Sequence, residues 1–297
     1  MNTSNQPLVS IIVNCFNGEF FLRDSLESIL NQTYKNWEVI FWDNQSNDNS
    51  SKIFKSYKDK RFKYFLSNNH TLLYEARNKA IEKTNGELIG FLDVDDIWLS
   101  NKLELQVPLL SKPNISLVYG NCYMVNQFQY KTILFKGNLP TGFILDKIIE
   151  KYVVGLPTIL IKKKFLEKIK FDENYHIIGD FDLVLRVSAV SEIDCIQSPV
   201  AIYRRHNKNL SSLNRDRHIK ELENWLEKIQ KHEIINKRNL DPIRETIKYL
   251  EIVNGIKSEK SFKVFKQILD LPLGTKKFLF LFALLLPTFA LKKIINF

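Results

Sequence analysis

The chain has 297 residues, 44% of them hydrophobic, and carries 43 Lys and Arg against 33 Asp and Glu, a formal net charge of +10. That length and apolar content support one large core or two modest ones, and exclude a disordered, repetitive or fibrous protein. Three cysteines far apart, Cys15, Cys122 and Cys195, exclude a disulfide scaffold and paired zinc or redox motifs, and point to a reducing compartment.

Met1 to Gln6 is polar, with neither a charged leader nor a cleavable apolar stretch, which predicts a cytoplasmic protein. Leu8 to Val13 is an apolar run without alternation, the pattern of a strand covered on both faces in a parallel sheet. Asn17-Gly18 turns the chain, and Leu22, Leu26, Ile29 and Leu30 then recur at helical spacing. Trp37 to Trp42 predicts a second strand ending on Asp43. A lysine-rich helix follows, then a short strand at Phe62 to Leu66, a helix through Ala76, Ala80 and Ile81, a strand before Asp93, and a fifth at Ser116 to Tyr119. This alternation predicts an α/β fold, a Rossmann-like, mostly parallel sheet with helices on both faces. Beyond Tyr119 the pattern loosens. Pro140-Thr141-Gly142 and Gly155-Leu156-Pro157-Thr158 predict loops, Ile159 to Ile161 a strand, and Lys164 onward a helix. Gly179-Asp180-Phe181-Asp182 precedes Leu183, Leu185 and Val187, so Asp180 sits near a helix start, as an N-cap or as a functional acid, with Asp182 and Arg186 paired four apart. After Tyr203-Arg204-Arg205-His206 the chain turns helical, with Ile219, Leu222, Leu226 and Ile229 on one face and a boundary near Asn214.

In an open α/β sheet, ligands bind beyond the carboxyl ends of the strands. That rule gathers Asn14, Phe16, Asn17, Asp43 and Asp93 into one crevice. Asp93-Val94-Asp95-Asp96 places three carboxylates where a buried run, Leu88 to Leu92, meets solvent. In an extended chain residues two apart share a face, so Asp93 and Asp95 would reach one hard divalent cation, Mn²⁺ or Mg²⁺, and the phosphates it carries. The alternative is that these acids only cap the next helix. Asn101 and Glu104 already supply a capping pair for that helix, which leaves the carboxylates free for the cation. No GxGxxG loop follows the first strand and no GxxxxGK[ST] occurs, which argues against a dinucleotide redox enzyme and a P-loop NTPase.

Taken in order, these segments resemble family 2 of the glycosyltransferases, which have the GT-A fold. The likeness covers roughly Leu8 to Ser212. It rests on Val9-Ser10-Ile11-Ile12-Val13 with Phe16-Asn17; Leu30-Asn31-Gln32-Thr33-Tyr34; Asp43-Asn44-Gln45-Ser46-Asn47-Asp48; Ala76-Arg77-Asn78; Gly86-Glu87 leading to Phe91-Leu92-Asp93-Val94-Asp95-Asp96-Ile97-Trp98; Asp180-Phe181-Asp182-Leu183 with Arg186; and Tyr203-Arg204 with His206.

The resemblance implies a nucleotide-sugar-binding half over 1–119, an acceptor-binding half over 120–214 and a helical region over 215–297. It makes Phe16 the aromatic stacked on the nucleobase, beside Asn17, and Asp43 the acceptor of a hydrogen bond from the base, most often uracil. Arg77 becomes the cation near the nucleotide, Asp93 the contact to ribose or metal-bound water, Asp95 the direct metal ligand and Asp180 the general base. His206 falls where some members bring a histidine to the metal. Each position also has a plainer structural role open to it: Phe16 in the core, Arg77 paired with Glu75 or Glu82, His206 in a basic surface loop. Three departures stand out: Asn14-Cys15 where the family commonly has Pro-Thr, Asn44 for a second Asp, and Gly179 for the usual Glu before the base. The last removes a carboxylate neighbour from the acceptor pocket.

Near the end of the chain, Lys276-Lys277 and Lys292-Lys293 bracket the apolar segment 278–291, which Pro287 interrupts. As a helix rising ~1.5 Å per residue it falls short of a ~30 Å hydrocarbon core, so it is expected to lie on an anionic membrane surface, or else to pack on protein. The combined expectation is a metal-dependent enzyme at the inner face of the cell membrane. It would move a sugar, with inversion, from a nucleoside diphosphate, with UDP the first candidate, to a lipid-linked or growing glycan in bacterial O-antigen or capsule synthesis. Two rivals differ in kind. A nucleotidyltransferase making nucleotide-sugars needs a glycine-rich basic loop after the first strand, which Asn14-Cys15-Phe16-Asn17-Gly18 does not supply. A nucleic-acid-binding module needs clustered cations with exposed aromatics between them, whereas the basic residues here are scattered or flank the tail, so no nucleic-acid partner is expected.

Overall fold

A computed structural model describes residues 6–126, 128–206, 209, 214–258, 262–270 and 280–281. The chain divides into two units, Met1–Asn207 and Lys208–Phe297, against the boundary expected near Asn214.

In the first unit the strands are β1 (Val9–Cys15), β2 (Trp37–Asp43), β3 (Phe62–Leu66), β4 (Leu88–Phe91), β5 (Ile97–Trp98), β6 (Ile115–Val125), β7 (Lys131–Ile133), β8 (Leu160–Lys162) and β9 (Glu192–Arg204). The helices are α1 (Leu22–Leu30), α2 (Ser50–Ser56), α3 (Leu73–Ile81), α4 (Lys102–Gln106), α5 (Leu145–Glu150), α6 (Lys163–Ile169) and α7 (Gly179–Ser188). The sheet runs β3-β2-β1-β4-β8-β6-β9-β5, with β7 added to β6 as a hairpin. Strands β3, β2, β1 and β4 are parallel, as the β-α-β alternation requires. Strand β8 is antiparallel to both β4 and β6, and β6 runs parallel to β9. The inserted β8 therefore restores the original direction. Cys15, Asp43, Phe91, Val125 and Arg204 all end at one edge of the sheet, and the crevice forms there.

Every residue of β1 and β2 is buried, in keeping with their unalternating sequences. Val9, Ile11 and Val13 pack with Leu22, Leu26 and Ile29 of α1 and with Val39, Phe41 and Phe54, which holds α1 and α2 on the sheet. Two expectations are corrected. The fifth strand extends through Val125 rather than stopping at Tyr119, because pairing with β9 satisfies its backbone. Asn101 stands at the start of α4 without a side-chain capping bond, and Glu104 instead accepts from Thr33 Oγ1 at 2.7 Å, tying α4 to the loop after α1.

The opposite edge of the sheet is held by one buried acid, Glu38. It accepts from Ser10 Oγ at 2.6 Å, from the Asn85 amide at 2.7 Å and from Lys63 Nζ at 2.5 Å. Burial raises the carboxyl, but these donors outweigh it and hold the group at about 2 against an ordinary 4.5. A depressed carboxyl stabilises the fold fully above its unfolded value, and that stabilisation is lost as pH falls through the folded value. Glu38→Gln is expected to cost about 2–3 kcal/mol at pH 7. In urea melts the gap from the parent should close between pH 4.5 and about 2; a gap independent of pH would remove this role.

In the second unit, helix Arg215–Ile229 buries Leu222, Trp225 and Ile229. Helices Asp241–Ser258 and Phe262–Leu269 share a cluster of Ile252, Val253, Ile256, Val264 and Ile268 with Phe280. Among the described residues no helix is long and apolar enough to cross a membrane. Apart from Phe280 and Leu281, the predicted interfacial segment 278–291 lies outside the described residues.

Candidate active site

The loop after β1 and the loop after β2 are zipped together by the polar residues that follow each strand. Asn17, at φ 55°, donates its amide N–H to Ser46 Oγ and accepts from the Asn47 amide through Oδ1, at 3.0 and 2.9 Å. The Gly18 amide donates to Ser50 Oγ at 2.9 Å, the Glu19 amide donates to Asp48 Oδ2, and the Glu19 carboxylate accepts from the Asn49 amide and side chain across the two loops. Asp43 is 1% exposed. Its Oδ1 accepts from the Ser46 amide at 2.8 Å and its Oδ2 from Tyr64 Oη at 2.7 Å, so it first of all orders the turn 43–46. Asn44 binds Thr71 through both side-chain atoms and fastens the approach to α3. Phe16 stands out at 51% exposure, its ring 4.2 Å from that of His70. An exposed, tilted aromatic pair at the carboxyl ends of β1 and β3 is a platform on which a flat ring can stack.

The acidic segment is not extended as expected. Strand β4 ends at Phe91, and Asp93 to Asp96 form a turn closed by the Asp96 amide on the Asp93 carbonyl at 3.0 Å. Alternation along a strand therefore does not aim these side chains; the turn and its neighbours do. Asp93 accepts from Arg77 at 2.6 Å. Asp95 Oδ2 lies 2.9 Å from His206 Nε2. Asp96 is buried and accepts from the Arg204 amide at 3.1 Å. Burial, and then the neighbouring acids, push the Asp95 and Asp96 carboxyls up. Arg204 clamps the turn: its Nε donates to the Asp95 carbonyl and its Nη1 to Asp24, each at 2.6 Å, over the ring of Phe21. Phe21 in turn stacks on His206 at 4.9 Å. Behind the turn Gly18 meets Val94, and a Cβ there would lie 2.9 Å from Val94 Cγ2, so the glycine keeps the β1 loop seated against the acids.

This donor set fits a divalent cation. Carboxylate oxygens suit Mn²⁺ or Mg²⁺, and massed acids with raised carboxyls are the arrangement a cation relieves. Among the described residues no three His, Cys, Asp or Glu side chains gather closely enough to hold a metal by themselves. Mg²⁺-like ions are commonly held by one or two carboxylates plus substrate phosphates, so ligand oxygens would complete the shell.

Arg77 is 2% exposed and does not pair with Glu75 or Glu82. Glu75 is taken by Lys79, and Arg77 projects from α3 to Asp93. One turn away on α3, Tyr74 Oη lies 3.1 Å from Asp180 Oδ1. Asp180 is not an N-cap. That place belongs to Ile178, and Asp180 sits in the first turn of α7. Burial pushes its carboxyl up, while Arg77 and the Tyr74 hydroxyl pull it back. Arg186 holds Asp182 as predicted, at 2.9 Å, and donates to the Ile169 carbonyl, which locks α7 to the end of α6.

The sheet's single working edge, with an acidic turn on one side and a half-shielded carboxylate on the other, defines a glycosyltransferase of the GT-A type. A family model described as Glycosyl transferase family 2 matches residues 10–194, and the chain belongs to that family. It is 33% identical over 192 residues, 63% of this chain and 74% of the relative, to the UDP-Glc:alpha-D-GlcNAc-diphosphoundecaprenol beta-1,3-glucosyltransferase WfgD of Escherichia coli. In fold it is similar to S. aureus TarS 1-349 in complex with UDP-GlcNAc, with TM-score 0.66 and 17% identity over 87% of this chain and 78% of that one. It is also similar to the mannosyltransferase PcManGT of Pyrobaculum calidifontis in complex with GDP-Man and Mn²⁺, with TM-score 0.61 and 15% identity over 99% of this chain and 88% of that one.

Proposed function

We propose that this enzyme transfers a sugar from a UDP-sugar to a lipid-linked or growing glycan in the synthesis of a bacterial surface polysaccharide such as O-antigen or capsule, inverting the anomeric carbon. One observation carries the proposal: the buried Arg77 bonds the donor-side acid Asp93 and also bears on Asp180, so leaving-group and acceptor chemistry share one cation. Phe16 with His70 takes the base, and Asn17 shapes that wall. Asp43 keeps the turn beneath it and has a second lone pair on each oxygen for a base N–H. Asp95, with Asp93 and His206, would hold Mn²⁺ or Mg²⁺, which when bound neutralises charge on the diphosphate. Asp180 takes the proton from the acceptor hydroxyl as its oxygen bonds to the anomeric carbon, and the electron pair of the breaking C–O bond leaves with the diphosphate. A single displacement of this kind inverts configuration and needs no sugar-enzyme intermediate.

The uridine donor and the lipid-linked acceptor are supported by the named reaction of WfgD and by the UDP-GlcNAc complex of TarS; the GDP-Man complex of PcManGT keeps the guanine alternative under test. Peripheral association with the inner membrane face follows from such an acceptor and from the lysines around 278–291. Vesicle flotation of the full chain tests it, and no flotation with anionic lipid removes it. The deciding experiment is a screen of UDP- and GDP-sugars for nucleoside diphosphate release. UDP-sugars with Mn²⁺ or Mg²⁺ are expected to be active and chelator to abolish release. Release from GDP-sugars alone overturns the uridine assignment, and binding to RNA in preference to any nucleotide-sugar overturns the enzyme reading.

A further inference from the structure

Gly179 stands directly before Asp180, and the ring of Tyr74 lies against it. A Cβ on Gly179 would fall 2.5 Å from two atoms of that ring, so the two residues exclude any larger neighbour at this point. Phe171 stacks on the same ring at 5.2 Å, and the Arg77 guanidinium lies 5.0 Å from its centroid. Asn78 binds the backbone of Phe171 in both directions, at 2.9 and 3.1 Å, so α3 and the segment leading to α7 are stitched together around the tyrosine. Tyr74 Oη has a single proton and two acceptors, the Ile177 carbonyl at 2.9 Å and Asp180 Oδ1 at 3.1 Å.

We propose that Tyr74 is the positioning residue of Asp180, and that the missing side chain at Gly179 is what admits it. The proposal rests on Asp180 being the general base. Tyr74 holds Oδ1, and with it the plane of the carboxylate, while the rotating O–H can swing to the Ile177 carbonyl once Asp180 carries the acceptor's proton. Tyr74 keeps its own proton throughout: burial, and then the charge of Asp180, push its hydroxyl well above the ordinary tyrosine range. The other titratable or charged groups bearing on Asp180 are Arg77 from α3 and Tyr152, whose ring lies 5.2 Å from Phe181; on α7 itself Asp182 and Arg186 are paired with each other.

A hydroxyl that donates to a carboxylate favours its charged form, so its removal must raise the carboxyl. Tyr74→Phe keeps the packed ring and loses only that donor. In the full-length protein labelled with ¹³C at the aspartate carboxyls, the Asp180 resonance is assigned by its absence in Asp180→Asn. It is expected to titrate about one pH unit higher in Tyr74→Phe than in the parent, with the acid limb of the turnover profile shifted likewise. Gly179→Ala, which must push the ring aside, is expected to shift it in the same direction. Titration of Asp180 in Tyr74→Phe within about 0.2 unit of the parent overturns the positioning role. Normal turnover by Asp180→Asn would instead remove the base assignment, while the carboxyl shift would still report whether Tyr74 holds it.

Discussion

Asp180→Asn is expected to lose sugar transfer by about 10²- to 10⁴-fold in kcat while binding the nucleotide donor as tightly as the parent. Asparagine has the same shape and keeps an oxygen to accept from Tyr74, so α7 and its surroundings should survive the change. It cannot take a proton. Burial raises the carboxyl of Asp180 while Arg77 and the Tyr74 hydroxyl pull it back, the kind of perturbed environment in which a general base is found. A base of this kind works above its own pKa, so turnover should fall away on the acid side. Measured by calorimetry for donor affinity and by product release for kcat, the variant separates the two functions. Equal losses in affinity and turnover would mean that Asp180 holds the donor and is not the base. The anomeric configuration of the parent's product, read by NMR, tests the single displacement in the same experiment.

Asp95→Asn is expected to lower kcat/KM at least 100-fold and to erase the dependence of donor affinity on Mn²⁺ or Mg²⁺. Asp95 is the partly exposed carboxylate that meets His206, and an amide oxygen is a poor substitute for an anion toward a hard cation. Stability should move the other way. Asp93, Asp95 and Asp96 crowd one turn; Asp93 raises the carboxyls of Asp95 and Asp96, and Asp95 raises that of Asp96. Removing one of these charges relieves repulsion, so in chelator the variant should melt at or above the temperature of the parent. A stable variant that is inactive and indifferent to metal places the cation on Asp95. An unchanged enhancement of UDP affinity by Mn²⁺ would remove Asp95 from that role.

Much of the crevice is legible in the residues alone. Apolar runs predict β1, β2 and β4, so the residues at or just beyond their carboxyl ends, Phe16, Asp43 and Asp93, fall at the ligand edge once the sheet is parallel. What the pattern could not show was which polar residues serve the ligand and which serve the loops. Asn17 and Asp43 both spend bonds on the turn 44–48. The acids after β4 looked like an extended pair, but a backbone turn redirects them, and no periodicity marks a turn containing Val94. Tyr74 and Phe21 support the site without any signal of their own, Tyr74 on a helix whose pattern reports only burial and Phe21 just ahead of α1, while Arg204 was marked only through the family resemblance. The one hint was an absence, the glycine ahead of Asp180.

Local order is a matter of neighbours along the chain, and the sequence by itself determined it where the pattern was strong: the succession of strands and helices from β1 to β4, the acids at the strand ends, the apolar faces of α1 and Arg215–Ile229, though not β5, β7 or β9. Pairings across the fold were decided only when the sheet brought distant segments to one edge. Arg77 meets Asp93 across 16 residues, Tyr74 meets Asp180 across 106, and His206 meets Asp95 across 111. Periodicity constrains a side chain to a face but says nothing of what the opposite face will hold. The partner of a buried charge is set by packing, since only there does desolvation make the choice of partner costly.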